Sequence, residues 1–273
     1  IWKGDLRDKK IIDKVFSYSY KENDPINAVI HFASLKSVIE SFEKPLLYWT
    51  NNVIGSLNLF DIMNKFDCKT LVFSSSANIY DLSDGNLISE KHAIKPTSPY
   101  GKNKKIIEEV LHDIFKVDSA SWRICNLRYF NPIGAHPLGI IGESPISNAT
   151  NIFPLITKVA LGVKDKLKIY GNDWPTKDGT GVRDYIHIMD IAEGHLKALD
   201  FLTINDSQIK NLNLGTGKGT SVLELIKTFE RVNNVNVPYS FVSRRKGDQA
   251  FVVADNKLAI KLLKWKPQKT LDQ

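Results

Sequence analysis

The chain has 273 residues, 42% of them hydrophobic, enough for one large domain or two modest ones with proper cores. Its net charge of +7 comes from lysines spread along the whole length, without the basic and aromatic stripe of a nucleic-acid surface, although a nucleotide-sized anion suits it. No run has the length of a membrane span and no N-terminal signal pattern is present, so the composition is that of an ordinary soluble protein with no membrane partner.

After Gly4-Asp5-Leu6 the pattern is helical to about Tyr20, and the apolar run from Asn27 to Ala33 predicts a buried strand. A long helix is predicted over residues 44–66, with Leu47, Val53, Leu57 and Phe60 among its apolar positions. Residues 69–75 (Lys-Thr-Leu-Val-Phe-Ser-Ser) read as a short buried strand with serines at its C-terminal end. A helix from Ser98 to about Val117 carries Ile106, Ile107, Val110, Leu111 and Ile114 at helical spacing, and a strand runs from Trp122 to Phe130. Strands alternating with helices in this way imply an α/β fold with a parallel sheet. After Asn131 the prolines Pro132, Pro137, Pro145 and Pro154 break the chain into shorter elements, marking a second, smaller region. There the pattern gives a helix near 153–162, a strand near Leu167–Tyr170, a helix over 190–202 and a strand-turn-helix over 211–230.

Tyr100-Gly-Lys-Asn-Lys104 places a phenol and an ammonium on one helical face. Such a pair fits a solvated surface or a site that takes the proton from an alcohol while a hydride leaves its carbon. Strand C-termini are where ligands sit in open α/β sheets, and Ser74-Ser75-Ser76 at such an end favours the second reading. An ammonium about 4 Å from the phenol, at an effective dielectric near 20, would favour the phenolate by about 4 kcal/mol, or about three pKa units. Gly215-Thr-Gly-Lys-Gly219 matches neither G-x-G-x-x-G nor the P-loop, and reads as a tight strand-to-helix turn. His31, His136, His187 and His195 have no metal-ligand spacing and read as structural hydrogen-bonding residues. Cys68 and Cys125 have neither metal-like nor disulfide-like spacing, which fits a reducing cytoplasm.

Further segments carry a closer likeness: Gly4-Asp5-Leu6-Arg7-Asp8, His31-Phe-Ala-Ser-Leu-Lys36, Asn51-Asn-Val-Ile-Gly55, Phe73-Ser-Ser-Ser-Ala77, Leu127-Arg-Tyr-Phe-Asn-Pro-Ile-Gly-Ala-His-Pro137, Gly179-Thr-Gly-Val-Arg-Asp-Tyr-Ile-His187 and Arg244-Arg-Lys-Gly-Asp248. With Tyr-x-x-x-Lys they resemble the extended short-chain dehydrogenase/reductase superfamily and, within it, the UDP-glucose 4-epimerase family, through nearly the whole chain. The resemblance implies a Rossmann-type doubly wound parallel sheet with a smaller mixed α/β substrate domain. It places an NAD-binding region at 1–131 and a predominantly UDP-sugar-binding region at 132–273, some of whose segments return to the main sheet. It implies reversible interconversion of UDP-glucose and UDP-galactose, part of galactose metabolism, by an isomerase with bound NAD, through a 4-keto sugar. Tyr100 is then the base, assisted by Ser76, with Lys104 on the ribose hydroxyls. Asp5 and Leu6 flank the adenine, Phe32, Ala33, Ser34, Leu35 and Lys36 line the dinucleotide, and Asn51 and Phe130 lie near the nicotinamide. Lys36 also belongs to the substrate set. Asn131, Asn151, Ile152, Lys168, Ile169 and Tyr170 match positions around the sugar and uridine. Arg183 and Arg245 meet the diphosphate and Asp248 a ribose hydroxyl. A cytoplasmic homodimer, packed through the Tyr100 helix and the helix before it, is the expectation for relatives of this kind.

The departures are informative. The glycine-rich turn with which the family normally begins, and the acidic residue about twenty positions on, are not in the sequence, so the expectation is a fragment that starts near the third strand, stops before the final helix and holds NAD incompletely. Asp81 stands where relatives usually have glycine. Val252 occupies a position that is a bulky tyrosine in some relatives, and its smaller size extends the expected substrates to UDP-N-acetylhexosamines. Nucleotide-sugar 4,6-dehydratases use an Asp-Glu pair where this chain has Ala77 and Asn78, neither of which supplies the proton transfers of an elimination. Other NAD-dependent nucleotide-sugar epimerases, decarboxylating relatives and a catalytically silent binding protein are the remaining alternatives.

Overall fold

Apolar periodicity is realised most directly in the helices. In the computed structural model, which describes residues 1–82, 87–143, 151–245 and 247–273, helix α1 (Lys9–Lys21) is capped by the Asp8 carboxylate and turns Ile12 and Phe16 inward. Strand β1 (Ala28–His31) leads to helices α2 (Val38–Glu43) and α3 (Pro45–Tyr48), a π-helical segment (Trp49–Ile54) and helix α4 (Gly55–Lys65). Strand β2 (Thr70–Ser76) ends in a 3-10 turn (Ala77–Ile79), followed by β3 (Leu87–Ile88), helix α5 (Pro99–Val117), β4 (Arg123–Tyr129) and β5 (Asn131–Ile133). Then come α6 (Ile152–Ala160), β6 (Leu167–Tyr170), β7 (Val182–Arg183), β8 (Tyr185–His187), α7 (Ile188–Ile204), β9 (Gln208–Leu214), β10 (Thr220–Ser221), α8 (Val222–Asn233), β11 (Tyr239–Val242), β12 (Phe251–Ala254) and α9 (Lys257–Leu263).

The chain forms two compact units, and the division is not a single cut: residues 1–80, 93–128 and 195–212 make the first, residues 81–92, 129–194 and 213–273 the second. The main sheet has the order β1-β2-β4-β9, with β1 parallel to β2. Every residue of β2 is buried, as expected of an interior strand. Ile12, Phe16, Phe60, Met63, Leu71, Phe73, Ile107, Leu111 and Trp122 belong to the core of the first unit. The second unit builds its own core from α6, β6, β8 and α8, with Ile156, Ile169, Tyr185 and Ile226 buried. Helix α8 begins with a capping box between Ser221 and Glu224 and ends at Asn234 in the left-handed conformation.

Two predicted elements differ. The helix expected over 44–66 is interrupted by the π-helical segment, where Asn52 turns its side chain inward and Ser56 donates its hydroxyl to the Asn52 carbonyl. The strand expected over 27–33 ends at His31 and is only half-buried before it, because β1 lies at the edge of the sheet among the described residues. The 215–219 turn is structural: the buried Asp184 carboxylate accepts the N–H groups of Thr216 and Gly217 and the Thr216 hydroxyl. Pro145 and Lys246 lie outside the described residues. Among the described residues no helix is long and apolar enough to cross a membrane.

Candidate active site

The first unit brings together the three residues singled out as catalytic. Ser76 closes strand β2, and Tyr100 stands in the first turn of α5, where the Ser98 hydroxyl accepts the Gly101 N–H and Pro99 occupies the opening position. The Ser76 hydroxyl and the Tyr100 phenol are hydrogen-bonded. Ser76 Oγ also accepts from the backbone N–H of Asn78 at 3.2 Å and from its Nδ2 at 3.1 Å. The two elements meet closely: a Cβ on residue 101 would lie 2.5 Å from the Asn78 carbonyl oxygen, so glycine is required there.

Lys104 is buried, with Nζ donating to the Ser74 carbonyl at 2.7 Å and standing 4.9 Å from the Phe73 ring centroid and 5.8 Å from that of Tyr100. Burial pulls its pKa down to about 7, against the opposing charge of Glu108. The expected lowering of the phenol by this ammonium is not what the structure shows. Burial raises Tyr100, and the Ser76 hydrogen bond only moderates the rise. The reason is geometric and electrostatic: Nζ donates to a carbonyl, and burial weakens its own charge near neutrality.

Residues outside the predicted set hold this arrangement. Glu108 accepts Nε and Nη2 of Arg128 at 3.0 and 2.6 Å, as well as the Ser75 hydroxyl, while Arg128 Nη1 donates to the Tyr80 hydroxyl at 2.8 Å. Burial opposes the Arg128 charge, but Glu108 outweighs it and keeps the guanidinium protonated. Asn52 brackets the Leu35 backbone, accepting its N–H at 2.8 Å and donating to its carbonyl at 3.0 Å, and reaches Asn103 Oδ1 at 3.3 Å. The sequence held two signals for this network: an arginine inside an apolar strand, and a glutamate one turn beyond Lys104.

The other predicted residues of this unit fall on its loops and in the π-helical segment. The Asp5 carboxylate is exposed and held down to about 2 by its hydrogen bonds with Arg7, and Leu6 leans on the core. Phe32 is 56% exposed with its ring 4.6 Å from that of His195, Ala33 and Lys36 are exposed, and Ser34 and Leu35 are half-buried. Asn51 lies in the π-helical segment.

The second unit holds the rest. Arg245 lies over the Tyr170 ring at 4.5 Å and donates to Asp248 at 2.9 Å. Arg183 Nη1 donates to the carbonyls of Val182 and Gln249, and burial lowers its pKa against the charge of Asp248. Two guanidiniums and one carboxylate leave net positive charge, suited to an anionic oxygen ligand. Lys168 and Tyr170 face outward from β6, whereas the Ile169 side chain is 2% exposed in the core, leaving only its backbone for a ligand. Phe130 is buried with its N–H on Leu214, Asn131 pairs with Tyr185 in the β5–β8 ladder, and Val252 is buried on β12. Asn151 and Ile152 open α6, with Asn151 Nδ2 3.4 Å from Glu143.

The family profile described as GDP-mannose 4,6 dehydratase matches residues 1–273. The chain is 46% identical over 272 residues to the UDP-glucose 4-epimerase of Bacillus subtilis, covering 100% of this chain and 78% of the relative. It superposes with a TM-score of 0.94 and 42% identity on the UDP-glucose-4-epimerase of Stenotrophomonas maltophila with bound NAD and formylated UDP-arabinopyranose, over 99% of this chain and 79% of that one. The Bifidobacterium longum enzyme in complex with NAD+ and UDP gives 0.91 and 42%, with the same coverage. The chain belongs to the UDP-glucose 4-epimerase family. Within that family the dehydratase name of the profile does not extend to the chemistry here, because Ala77 and Asn78 provide no acid–base pair beside Ser76.

Lys104 generates a prediction about stability. Between about pH 7 and 10.5 the unfolded chain binds a proton at Lys104 that the folded chain does not, so its burial costs most at and below pH 7. Lys104→Met is expected to stabilise the NAD-free protein by a few kcal/mol at pH 7, with the gain shrinking toward pH 10.5, in paired denaturant titrations of variant and parent. An equal difference at both pH values counts against the uncompensated charge.

Proposed function

We propose that the protein interconverts UDP-glucose and UDP-galactose through a 4-keto sugar, using bound NAD, and that the Ser76–Tyr100–Lys104 cluster carries the reaction. The residues fit this cofactor: Lys104 has one hydrogen-bond partner for three donors, and the fully buried Asn103 Nδ2 has none among the described residues, so polar groups of a ligand have donors waiting. When bound, NAD takes up and returns the C4 hydride. Tyr100 removes the proton of the C4 hydroxyl as the hydride leaves and restores it on return; Ser76 donates to the phenol oxygen. Lys104 holds the ribose hydroxyls. Asp5, Leu6, Phe32 to Lys36, Asn51 and Phe130 complete the dinucleotide set. Arg183 and Arg245 bind the diphosphate, Asp248 a ribose hydroxyl, and Asn131, Asn151, Ile152 and Lys168 to Tyr170 the sugar and uridine.

Proton NMR of UDP-galactose with the complete NAD-bound protein should show UDP-glucose forming without net NADH. Tyr100→Phe should lower kcat by about 10²–10⁴-fold while retaining NAD. A dehydrated or decarboxylated product, or a variant as active as the parent, overturns this reading.

Valine at 252 supports wider substrate use. UDP-N-acetylglucosamine should be epimerised as well, and Val252→Tyr should suppress that activity while sparing UDP-glucose; absence of the N-acetyl activity in the parent rejects the extension.

A homodimer is supported by Ile39, Phe42, Leu46, Leu47, Ile54 and Leu57, large apolar side chains left exposed on α2, α3, α4 and the π-helical segment. Sedimentation should give twice the chain mass, and Phe42→Glu should shift it to monomer. Two free buried thiols suit a reducing cytoplasm, and recovery of the protein in an oxidising compartment counts against that placement.

A further inference from the structure

Ser76 helps Tyr100 only when its proton points at the phenol oxygen. A hydroxyl has one proton and two lone pairs, and a free rotor would donate elsewhere for part of the time. Here both lone pairs are engaged by one residue, through the backbone N–H of Asn78 at 3.2 Å and its side-chain Nδ2 at 3.1 Å. The donor is itself held: Asn78 sits in the 3-10 turn that Ser76 caps, its carbonyl pressed against Gly101 in the first turn of α5. Its side chain is exposed, so core packing does not account for the contact.

We infer that Asn78 is a positioning residue, which fills both acceptor sites of Ser76 Oγ and so directs the hydroxyl proton to Tyr100. The importance of that proton rests on the proposed epimerase reaction; the contact itself does not. Several charged and titratable groups around α5 are engaged elsewhere. Lys104 is on the Ser74 carbonyl, Glu108 pairs with Arg128 of β4, and His31 of β1 is held neutral by burial and by Lys104. On α2, Glu40 takes Lys44 and the Tyr48 hydroxyl.

The test uses the complete NAD-bound protein carrying Asn78→Asp or Asn78→Ala, each with and without Ser76→Ala. The readouts are the pH dependence of kcat/KM and the titration of Tyr100 by NMR of isotope-labelled tyrosine. The aspartate only accepts, so it draws the Ser76 proton away. The Tyr100 midpoint should rise by about one unit, with activity at pH 7 falling about tenfold and recovering at higher pH. Asn78→Ala removes one donor without adding charge; it should give a smaller shift in the same direction, and it decides the matter if the aspartate variant does not fold. On the Ser76→Ala background Asn78→Ala should not move the midpoint further, and Asn78→Asp should keep only the part of its shift that its added charge produces. An unmoved midpoint in Asn78→Ala, or an equal Asn78→Ala shift with and without Ser76, overturns the inference. If the parent does not turn over UDP-sugars, the proposed reaction falls while the NMR titration still decides the role of Asn78.

Discussion

Glu108 accepts two nitrogens of Arg128 and the hydroxyl of Ser75 where water does not reach, and these contacts hold strands β2 and β4 against helix α5. Each charge loses several kcal/mol of hydration on burial, which is recovered only when nearly every donor and lone pair is engaged. That condition is met, since Arg128 also reaches Tyr80. Apolar burial has no direction, and Ile107 and Leu111 alone would tolerate some sliding of the helix. The bidentate pair does not, and it sets the register that brings Tyr100 to Ser76.

The proposed chemistry sits on groups whose charge or polarity the protein itself leaves poorly compensated. Among the described residues Lys104 has a single hydrogen bond and no carboxylate in contact, and Tyr100 is a phenol that burial makes less acidic. Arg183 in the second unit is likewise depressed by burial. Strongly perturbed groups of this kind gather at functional sites, where a ligand supplies the missing partners. In the proposed reaction the missing partners are hydroxyls and further positive charge near the phenol, and an anion near the arginines. The long polar network behind the first cluster keeps these groups in place despite their individual cost.

Much of the architecture was legible because long elements repeat their pattern. Helix α5 matches the prediction at both ends, since Ser98 and Pro99 mark its start and five apolar residues hold its phase. Strand β6 lies at the predicted positions, although its alternation buries Ile169 among residues assigned to the ligand. Strands β7 and β10, of two residues each, are too short for a period to emerge, and they arise from pairing with one another. The π-helical break at 49–54 was invisible for a different reason: its key contact, Asn52 on Leu35, joins residues 17 apart.

The sequence by itself determined that Tyr100 and Lys104 share a helical face beside a strand ending in serine, and its later segments tied the chain to an epimerase family. It also argued against elimination, because the side chains at 77 and 78 have fixed chemistry wherever they lie. Only the tertiary structure decided the sign of the phenol's pKa shift, the partners of Glu108 and Arg128, and the grip of Asn78 on Ser76. Spacing along a helix fixes direction, whereas desolvation and hydrogen-bond saturation depend on atoms contributed by distant parts of the chain.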